Sequence, residues 1–454
     1  MRDATVKTPL LFVLYRQASR AAGAAYFLYF SYRTMFGRSD VSRRREQRGE
    51  PSIERPEGPF VLLYTVNMAR AGLLRPLIDK LADLGINVLL ATKTEKGGAL
   101  PNSCCLHQLA PLDVPRFVVA FFDYWQPDLV LIDGMKFPAN LIWESNQRAI
   151  PLALVSAHLP ARSFLRGRKF SFFMNPLLQR IDLCLTNARS DADRLKILGS
   201  RNAHATGDLI YDLTPPPIDQ SMLASLLARI GTRPIWVVDG AHPSEDEIIL
   251  AVHRKLKHNF PGLLTVLIPE DQKRGFEIAR LAQSLKLTVR LRGSDRDGEP
   301  LPEVYIARKR ADAGLFYRAA GIIFAGTSLS AGGGENPLES ACLGCAVLHG
   351  PQVGEFSEFY RALDQAGGGA LVFDAETLAK ELALLLYDNA ELRAMSRAAA
   401  RVASEFQGAS AKIILLLKPY LAQAMVAPRI GRGEVGRPFG HSVAEDPFRE
   451  PRSP

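Results

Sequence analysis

From residue 59 onward, short apolar runs alternate with longer stretches in which apolar and polar residues repeat at helical spacing. Short apolar runs between turn-forming residues are typical of buried strands, whereas the amphipathic stretches predict helices. Strands that alternate with helices predict a parallel, doubly wound α/β sheet. In the first half we predict strands at residues 60–64, 87–91, 129–132, 152–155 and 183–186, and helices at 73–84 and 116–124.

The same alternation restarts after residues 214–217, a Thr-Pro-Pro-Pro run that breaks both helices and strands and predicts a linker. The second series of predicted strands is at residues 235–238, 264–268, 288–291, 304–306, 322–325 and 346–348. We therefore predict two Rossmann-like, doubly wound α/β domains, residues 56–216 and 217–425, with a cleft between them. Ligands of such sheets bind outside the carboxyl ends of the strands, so the site should lie in that cleft.

The first 55 residues follow a different pattern. Residues 10–30 are apolar but contain Arg16 and Arg20, which are costly in a helix that spans a membrane. A helix in the membrane interface accommodates them, and the arginines within 33–48 would be drawn to anionic lipid. We predict a membrane-associating segment over residues 1–55; the alternative is a helix that packs on the protein's own body. Residues 426–454 are rich in Pro, Gly and Arg and predict a disordered tail.

Composition agrees with a folded body of two domains, since the chain has 454 residues, of which 47% are hydrophobic and 23% charged. The net charge is +9, and residues 1–55 alone hold eleven Lys or Arg against five Asp or Glu. A basic surplus in a terminal arm without interleaved aromatic residues does not favour nucleic-acid binding. The five cysteines lack the spacing of a zinc site or a disulfide framework, which favours a reducing compartment.

The most informative segment is residues 321–339, in which an apolar strand leads into a glycine-rich loop and then a helix. Asn336, Pro337 and Glu339 suit the start of that helix. A glycine loop before a helix N-terminus offers backbone N–H groups to an anion, so we predict a nucleotide-binding site there. The alternative is that Asn336 and Glu339 only cap the helix, although capping does not require three successive glycines.

Two further loops follow the first predicted strand of each half. In the second half, His242 lies at a strand end and could donate to a phosphate or a leaving group, although a lone histidine in a loop is more often structural. In the first half, Arg70 lies near a helix start, where its charge opposes the helix dipole. Such a position suggests a role in holding an anion; a solvated arginine is the alternative.

Taken in order, these segments resemble those of the bacterial Kdo (3-deoxy-D-manno-octulosonic acid) transferases, from about residue 59 to residue 421. The 326–339 loop is similar to that family's glycine-rich stretch ending in Asn-Pro-x-Glu. Residues 233–236 with His242 and Glu245 resemble its Arg-Pro-Val-Trp strand and His-Glu-Gly-Glu-Glu run. Residues 150–163 are similar to its Ile-Pro-Leu…Asn-Ala-Arg-Leu-Ser-x-Arg-Ser segment, and residues 206–212 to its Thr-Gly-Asn-Leu-Lys-x-Asp.

The resemblance implies a glycosyltransferase-B fold and an inverting transfer of Kdo from CMP-Kdo to a lipid A precursor, in lipopolysaccharide synthesis at the cytoplasmic face of the bacterial inner membrane. The partners it implies are a CMP-sugar donor, a glycolipid acceptor and an anionic membrane surface, without a metal or a cofactor. The first domain would hold the acceptor. The second domain would bind the donor nucleotide through His242, Gly326, Thr327, Ser328, Asn336 and Glu339.

The first-domain loop departs from the family pattern. Where the family has Ser-Val-Ser-Val-Gly-Glu, with the glutamate as general base, this chain has residues 65–70 ending in Arg70, which cannot deprotonate a hydroxyl. If the protein is active, another carboxylate must act as the base, and Asp133 is our candidate for this catalytic role. The alternatives are a transferase for another sugar or acceptor, and a catalytically inactive homologue that binds a nucleotide or a glycolipid.

Overall fold

The computed structural model describes residues 12–23, 41–94, 105–213, 215, 218–269, 272–294, 299–307, 312–330 and 333–426. The chain divides into two compact domains, the first of residues 1–212 and 408–454 and the second of residues 213–407. Several predicted features lie outside the described residues: most of the linker, Gly332, residues 24–40 of the apolar and basic segment, and the tail after residue 426.

The first domain is built on one seven-stranded sheet. Its strands follow the order β3-β2-β1-β4-β5-β6-β7, and every neighbouring pair is parallel. Its elements up to the linker are α1 (12–23), α2 (Val41–Gln47), β1 (Phe60–Asn67), α3 (Met68–Leu73), α4 (Arg75–Asp83), β2 (Asn87–Thr94), β3 (Cys105–Leu109), α5 (Pro115–Trp125), β4 (Leu129–Asp133), α6 (Ala139–Gln147), β5 (Leu152–Ala157), α7 (Ala161–Lys169), α8 (Ser171–Leu178), β6 (Leu183–Thr186), α9 (Arg189–Ile197) and β7 (Ala203–Ala205).

The second domain repeats this architecture. Its sheet has the order β10-β11-β9-β8-β12-β13-β14, again with every neighbouring pair parallel. Its elements are α10 (Gln220–Ile230), β8 (Ile235–Asp239), α11 (Asp246–Leu256), β9 (Leu264–Ile268), α12 (Gln272–Ser284), β10 (Val289–Leu291), β11 (Val304–Ile306), α13 (Ala313–Ala320), β12 (Ile322–Ala325), α14 (Leu338–Cys342), β13 (Ala346–His349), α15 (Ser357–Ala366), β14 (Gly369–Leu371), α16 (Ala375–Tyr387) and α17 (Asn389–Phe406).

The prediction of two doubly wound α/β domains is confirmed. The strands that form apolar runs lie inside the sheets, where helices cover both faces: Phe60 and Leu62 of β1 pack on one side, and Val61 and Leu63 on the other. Strands β3, β7 and β14 were not predicted. They lie at sheet edges, where a strand needs no continuous apolar run, and β7 is only Ala-His-Ala.

The last described helix, α18 (Ala409–Val426), belongs to the first domain, whereas the sequence placed residues up to 425 in the second. Its side chains Ile413, Leu417 and Leu421 are buried in the core on one face of the first sheet. Asp212, which precedes the linker, caps this helix, because its carboxylate accepts from the backbone N–H groups of residues 408–410 at 2.6–3.2 Å.

Among the described residues, one stretch, Asn389–Val426, is long and apolar enough to cross a membrane by length and hydropathy alone. It consists of the two helices α17 and α18, which belong to different domains. Helices in the core of a soluble domain have the same composition, so this stretch alone does not indicate a membrane span.

Helix α1 packs on the body of the first domain, as the alternative interpretation of the N-terminal segment had it. The Phe12 ring stacks on Trp143 with 4.6 Å between ring centroids, and the Tyr15 hydroxyl donates to Asp113 at 2.6 Å. Val13 and Leu14 point away from this contact and are exposed. The helix therefore has one face in the core and one apolar face in solvent.

Candidate functional site

The first candidate site lies at the carboxyl ends of β1 and β4. From β1 the strand order runs outward to β2 and β3, and from β4 it runs outward the other way to β5, β6 and β7. The boundary between β1 and β4 is therefore the topological switch point, where α/β sheets bind ligands. The chain leaves β1 through Asn67, whose side-chain oxygen accepts from the backbone N–H of Arg70 at 2.9 Å and so caps α3. This cap holds Arg70 in the first turn of the helix, next to the end of β4.

The structure brings Arg70 and Asp133 together. Arg70 Nε donates to Asp133 Oδ2 at 3.1 Å and Arg70 Nη2 donates to Oδ1 at 3.0 Å, the bidentate geometry of a strong ion pair. The Thr65 hydroxyl donates to Oδ2 at 2.7 Å. Asp133 is only 2% exposed, whereas the Arg70 side chain is 41% exposed. Asp133 thus compensates and orients an arginine that remains accessible.

This geometry bears on Asp133 as the candidate general base, which stays a prediction. A base must present a lone pair to the proton that it takes. Both oxygens of Asp133 already accept from Arg70, and Oδ2 accepts from Thr65 as well. The contacts favour a different role, in which Asp133 positions Arg70.

A cavity of about 630 Å³ opens beside this pair. Its polar lining includes the cations Arg70 and Lys136 and the imidazole of His158, and Asp133 is the only carboxylate among the described residues that line it. The cavity is therefore suited to an anionic group. Sequence reasoning did not single out Lys136 or His158, although His158 lies within the 150–163 segment that resembles the family pattern.

His158 follows β5 and is held by the start of α9. Its Nδ1 lies 3.0 Å from Oδ2 of Asp191, which is only 1% exposed, while the His158 side chain is 60% exposed. Asp191 is fixed in turn, because its Oδ1 accepts from the backbone N–H of Leu159 and from Arg194, both at 3.2 Å. An exposed imidazole is thus oriented by a buried carboxylate.

Asp208, after β7, is a second carboxyl group near this cavity. Burial raises its pKa above the usual range, while the hydrogen bond from the Ile210 N–H and the charge of Arg70 oppose that rise. Its Oδ2 accepts from the Asn187 side chain at 2.5 Å, and its Oδ1 accepts from the backbone N–H of Ile210 at 3.1 Å. Both oxygens of Asp208 therefore already accept hydrogen bonds, one from the loop after β6 and one from its own loop.

The second candidate site lies at the carboxyl ends of β8 and β12, the switch point of the second sheet. Its central residue is Glu245, which is fully buried. Glu245 Oε2 accepts from the backbone N–H groups of Thr327 and His242 at 2.7 and 3.0 Å, and Oε1 from those of Leu329 and Ser330 at 2.8 and 3.2 Å. Three backbone N–H groups of the loop that the sequence offered to a phosphate thus bind the protein's own carboxylate.

The glycines of this loop allow its close approach to the loop after β8. A Cβ on Gly326 would lie 2.5 Å from backbone atoms of Gly240 and Ala241. Such a contact is closer than any side chain tolerates, so this position requires glycine. Gly326 therefore brings the two loops together, a packing role that the glycine pattern alone does not reveal.

The other predicted nucleotide-binding residues differ in accessibility. Ser328 is buried, and its hydroxyl donates to the Ala325 carbonyl at 2.5 Å and accepts from the Gly350 N–H at 2.7 Å, which favours a structural role. Thr327 is half-buried and His242 is exposed, with His242 Nδ1 2.8 Å from the Ser244 hydroxyl. These two side chains remain available to a ligand.

Asn336 precedes and Glu339 lies in α14, which begins at Leu338. The Asn336 side-chain oxygen accepts from the backbone N–H of Leu338 at 3.1 Å, although the N-cap position itself is occupied by Pro337. Glu339 lies in the first turn, half-buried beside Gly314. Among the described residues, no group of three His, Cys, Asp or Glu side chains could hold a metal ion.

Comparison with known proteins connects both domains to one family. Residues 40–213 match the profile of the 3-deoxy-D-manno-octulosonic-acid transferase (kdotransferase) N-terminal family. The chain is 29% identical to 3-deoxy-D-manno-octulosonic acid transferase of Haemophilus influenzae over 399 residues, 85% of this chain and 92% of that protein. It is 26% identical to the enzyme of the same name from Bordetella pertussis over 427 residues, 91% of this chain and 96% of that protein.

Among solved structures, a glycosyltransferase from Rickettsia africae superposes with a TM-score of 0.55 at 13% identity, covering 81% of this chain and 99% of that chain. At this identity the likeness shows the fold alone. The matched N-terminal profile and the relatives that span both domains together support a divergent member of the 3-deoxy-D-manno-octulosonic acid (Kdo) transferase family, and the two parallel Rossmann-like sheets agree with it.

Proposed function

We propose that the protein is a glycosyltransferase that moves Kdo from CMP-Kdo to a lipid A precursor in lipopolysaccharide synthesis. The observation that carries this proposal is the similarity to named Kdo transferases along 85–91% of the chain, which includes both candidate sites. A nucleotide-sugar donor and a glycolipid acceptor are therefore the substrates.

In this proposal the second domain binds the CMP moiety. His242, Thr327 and Glu339 offer side chains around the loops that follow β8 and β12, and Asn336 fixes the start of α14. Glu245 holds the loop amides in place, so the nucleotide contacts side chains presented by a rigid loop. Gly326 and Ser328 maintain the conformation of the loop through close packing and internal hydrogen bonds.

The first domain binds the acceptor. Its cavity presents Arg70 and Lys136, and Asp133 keeps Arg70 oriented. An arginine held in this way matches a phosphate or carboxylate through two parallel hydrogen bonds. The acceptor's anionic group thus lies at the position where the family pattern has its glutamate.

The proposed location is the cytoplasmic face of the bacterial inner membrane, with attachment through one surface of the first domain. Helices α7 and α8 expose Leu165, Phe170 and Phe172, and α8 adjoins α1, whose Tyr15 ring lies 6.4 Å from that of Phe173. Exposed apolar side chains next to basic ones are typical of surfaces that bind anionic lipid. The exposed basic side chains of α7 are Arg162, Arg166, Arg168 and Lys169.

Vesicle sedimentation tests this surface. Leu165→Asp with Phe172→Asp should weaken binding to phosphatidylglycerol vesicles by at least about tenfold, because each buried apolar side chain contributes about 1.5–3 kcal/mol. Leu227→Asp, which alters an exposed leucine of the second domain, is the control. Equal binding by the double variant and the control would place the attachment elsewhere.

The transferase activity is tested directly by incubating the purified protein with CMP-Kdo and a lipid A precursor and following CMP release and the glycolipid product. Transfer is expected. An inactive homologue is the second candidate, favoured by Arg70 at the position of the family's base. It would bind CMP in calorimetry and transfer no sugar to any glycolipid acceptor.

A further inference from the structure

The dyad of His158 and Asp191 has the arrangement that catalytic histidines need. An ionised carboxylate only accepts hydrogen bonds, so the 3.0 Å contact requires the proton on Nδ1 of His158. Nε2 is then the nitrogen with a free lone pair. A buried aspartate that fixes the tautomer and ring of an accessible histidine is the arrangement by which many enzymes prepare a general base.

The other described histidines in defined contacts do not combine these features. His349 also lies 2.8 Å from a carboxylate, that of Asp364, but it is buried and its second nitrogen lies 2.9 Å from a carbonyl. His253 is buried in the core of the second domain. His158 alone among them joins a buried aspartate, an exposed ring and a position in the lining of the first-domain cavity.

At the position where the family pattern has its glutamate base, this cavity has Arg70 and therefore no proton acceptor. Arg70 is a permanent cation, and Asp133 is bound by Arg70 and Thr65. His158 in turn lies in the segment that resembles Asn-Ala-Arg-Leu-Ser, at the place of the arginine in that pattern. Relative to the family pattern, the chain thus has a cation, Arg70, in place of an acid and an imidazole, His158, in place of a cation, and both side chains line one cavity.

We infer that His158 is the general base of the proposed transfer, which rests on the proposed function, and that Asp191 is its positioning residue. Nε2 of His158 takes the proton from the acceptor hydroxyl. The hydroxyl oxygen forms a bond to the anomeric carbon of Kdo, while the bond from that carbon to the phosphate oxygen of CMP breaks and its electron pair stays on CMP. The imidazolium then releases its proton to solvent.

Steady-state kinetics of the full-length protein test this assignment. His158→Gln should lower kcat by about 10²–10⁴-fold, the usual contribution of a general base, with the KM for both substrates changed less than about threefold. Asp191→Asn should lower kcat by about tenfold or more, because an amide no longer fixes the required tautomer. His204→Gln, an exposed histidine of the same domain bonded to Asn202, is the control and should keep wild-type kinetics.

Chemical rescue distinguishes a base from a structural histidine. His158→Ala should be inactive alone and regain part of its kcat when imidazole is added, since the exposed cavity position admits the free base. The His158 assignment is overturned if His158→Gln keeps the kcat of the wild type, or if imidazole rescues nothing while circular dichroism shows the fold intact. If the wild type itself transfers no sugar, the proposed function fails first and the assignment fails with it.

Discussion

Each of the two domains has a buried carboxylate near the switch point of its sheet, and the two carboxylates are compensated in different ways. At the switch point of the second sheet, Glu245 is surrounded by four backbone N–H groups. At the switch point of the first sheet, Asp133 is paired with the guanidinium of Arg70 and the hydroxyl of Thr65. Glu245 thus holds backbone N–H groups in place, and Asp133 holds the charged side chain of Arg70 in place.

The difference separates a rigid site from a reactive one. Backbone amides held by Glu245 leave the nucleotide loop little freedom, and a preorganised loop loses little entropy when a ligand binds. Arg70, by contrast, keeps 41% of its side chain exposed and lines the same cavity as His158. Under the proposed function, the second domain would recognise a constant nucleotide, and the first would hold and activate an acceptor.

Of the predicted changes, removal of the Glu245 carboxylate in the second domain should lower stability the most. Glu245→Ala leaves four backbone N–H groups without their acceptor, at a cost of about 3 kcal/mol, or roughly 6–12 °C in Tm. Differential scanning calorimetry measures the shift, and CMP binding should weaken as the loop loosens. Glu247→Ala, an exposed residue in the first turn of the same helix, is the control and should change Tm by less than about 2 °C. An unchanged Tm for Glu245→Ala would show that Glu245 does not hold the loop.

The nucleotide site itself should show an intermediate effect. Glu339→Ala should weaken CMP binding by about 1–3 kcal/mol, because a hydrogen-bonding partner of the ligand is lost. Isothermal titration calorimetry with CMP measures it, and Glu358→Ala, exposed in the first turn of α15, is the matched control. If both variants are folded and bind CMP with equal affinity, the nucleotide does not bind at α14.

Substitutions in the Arg70–Asp133 pair of the first domain should have the smallest effect. Their kinetics also decide the role of Asp133. Arg70→Gln should raise the KM for the acceptor about tenfold, close to 1.4 kcal/mol, without changing CMP affinity. Asp133→Asn should do the same through Arg70, and adding it to Arg70→Gln should have little further effect, as a double-mutant cycle would show. A fall in kcat of about a hundredfold with an unchanged KM would instead identify Asp133 as the base.

Much of the fold could be predicted because central strands must be apolar on both faces. Strands β1, β4, β8 and β12 are central, and each is visible in the sequence as an apolar run. Edge strands such as β7 have no such run. The sequence also did not show that α18 returns to the first domain. That return depends on Asp212, whose carboxylate caps a helix 196–198 positions later in the chain.

The sequence by itself determined the two doubly wound domains, the glycine loop before α14 and the presence of Arg70 where the family has an acid, because each is a local pattern. Only the tertiary structure decided what these residues do. It paired Arg70 with Asp133, gave amides of the glycine loop the carboxylate of Glu245 as their acceptor, and placed His158 next to Asp191 of α9. Hydrogen bonds between residues 33–84 positions apart depend on how strands and helices pack, and no local pattern records them.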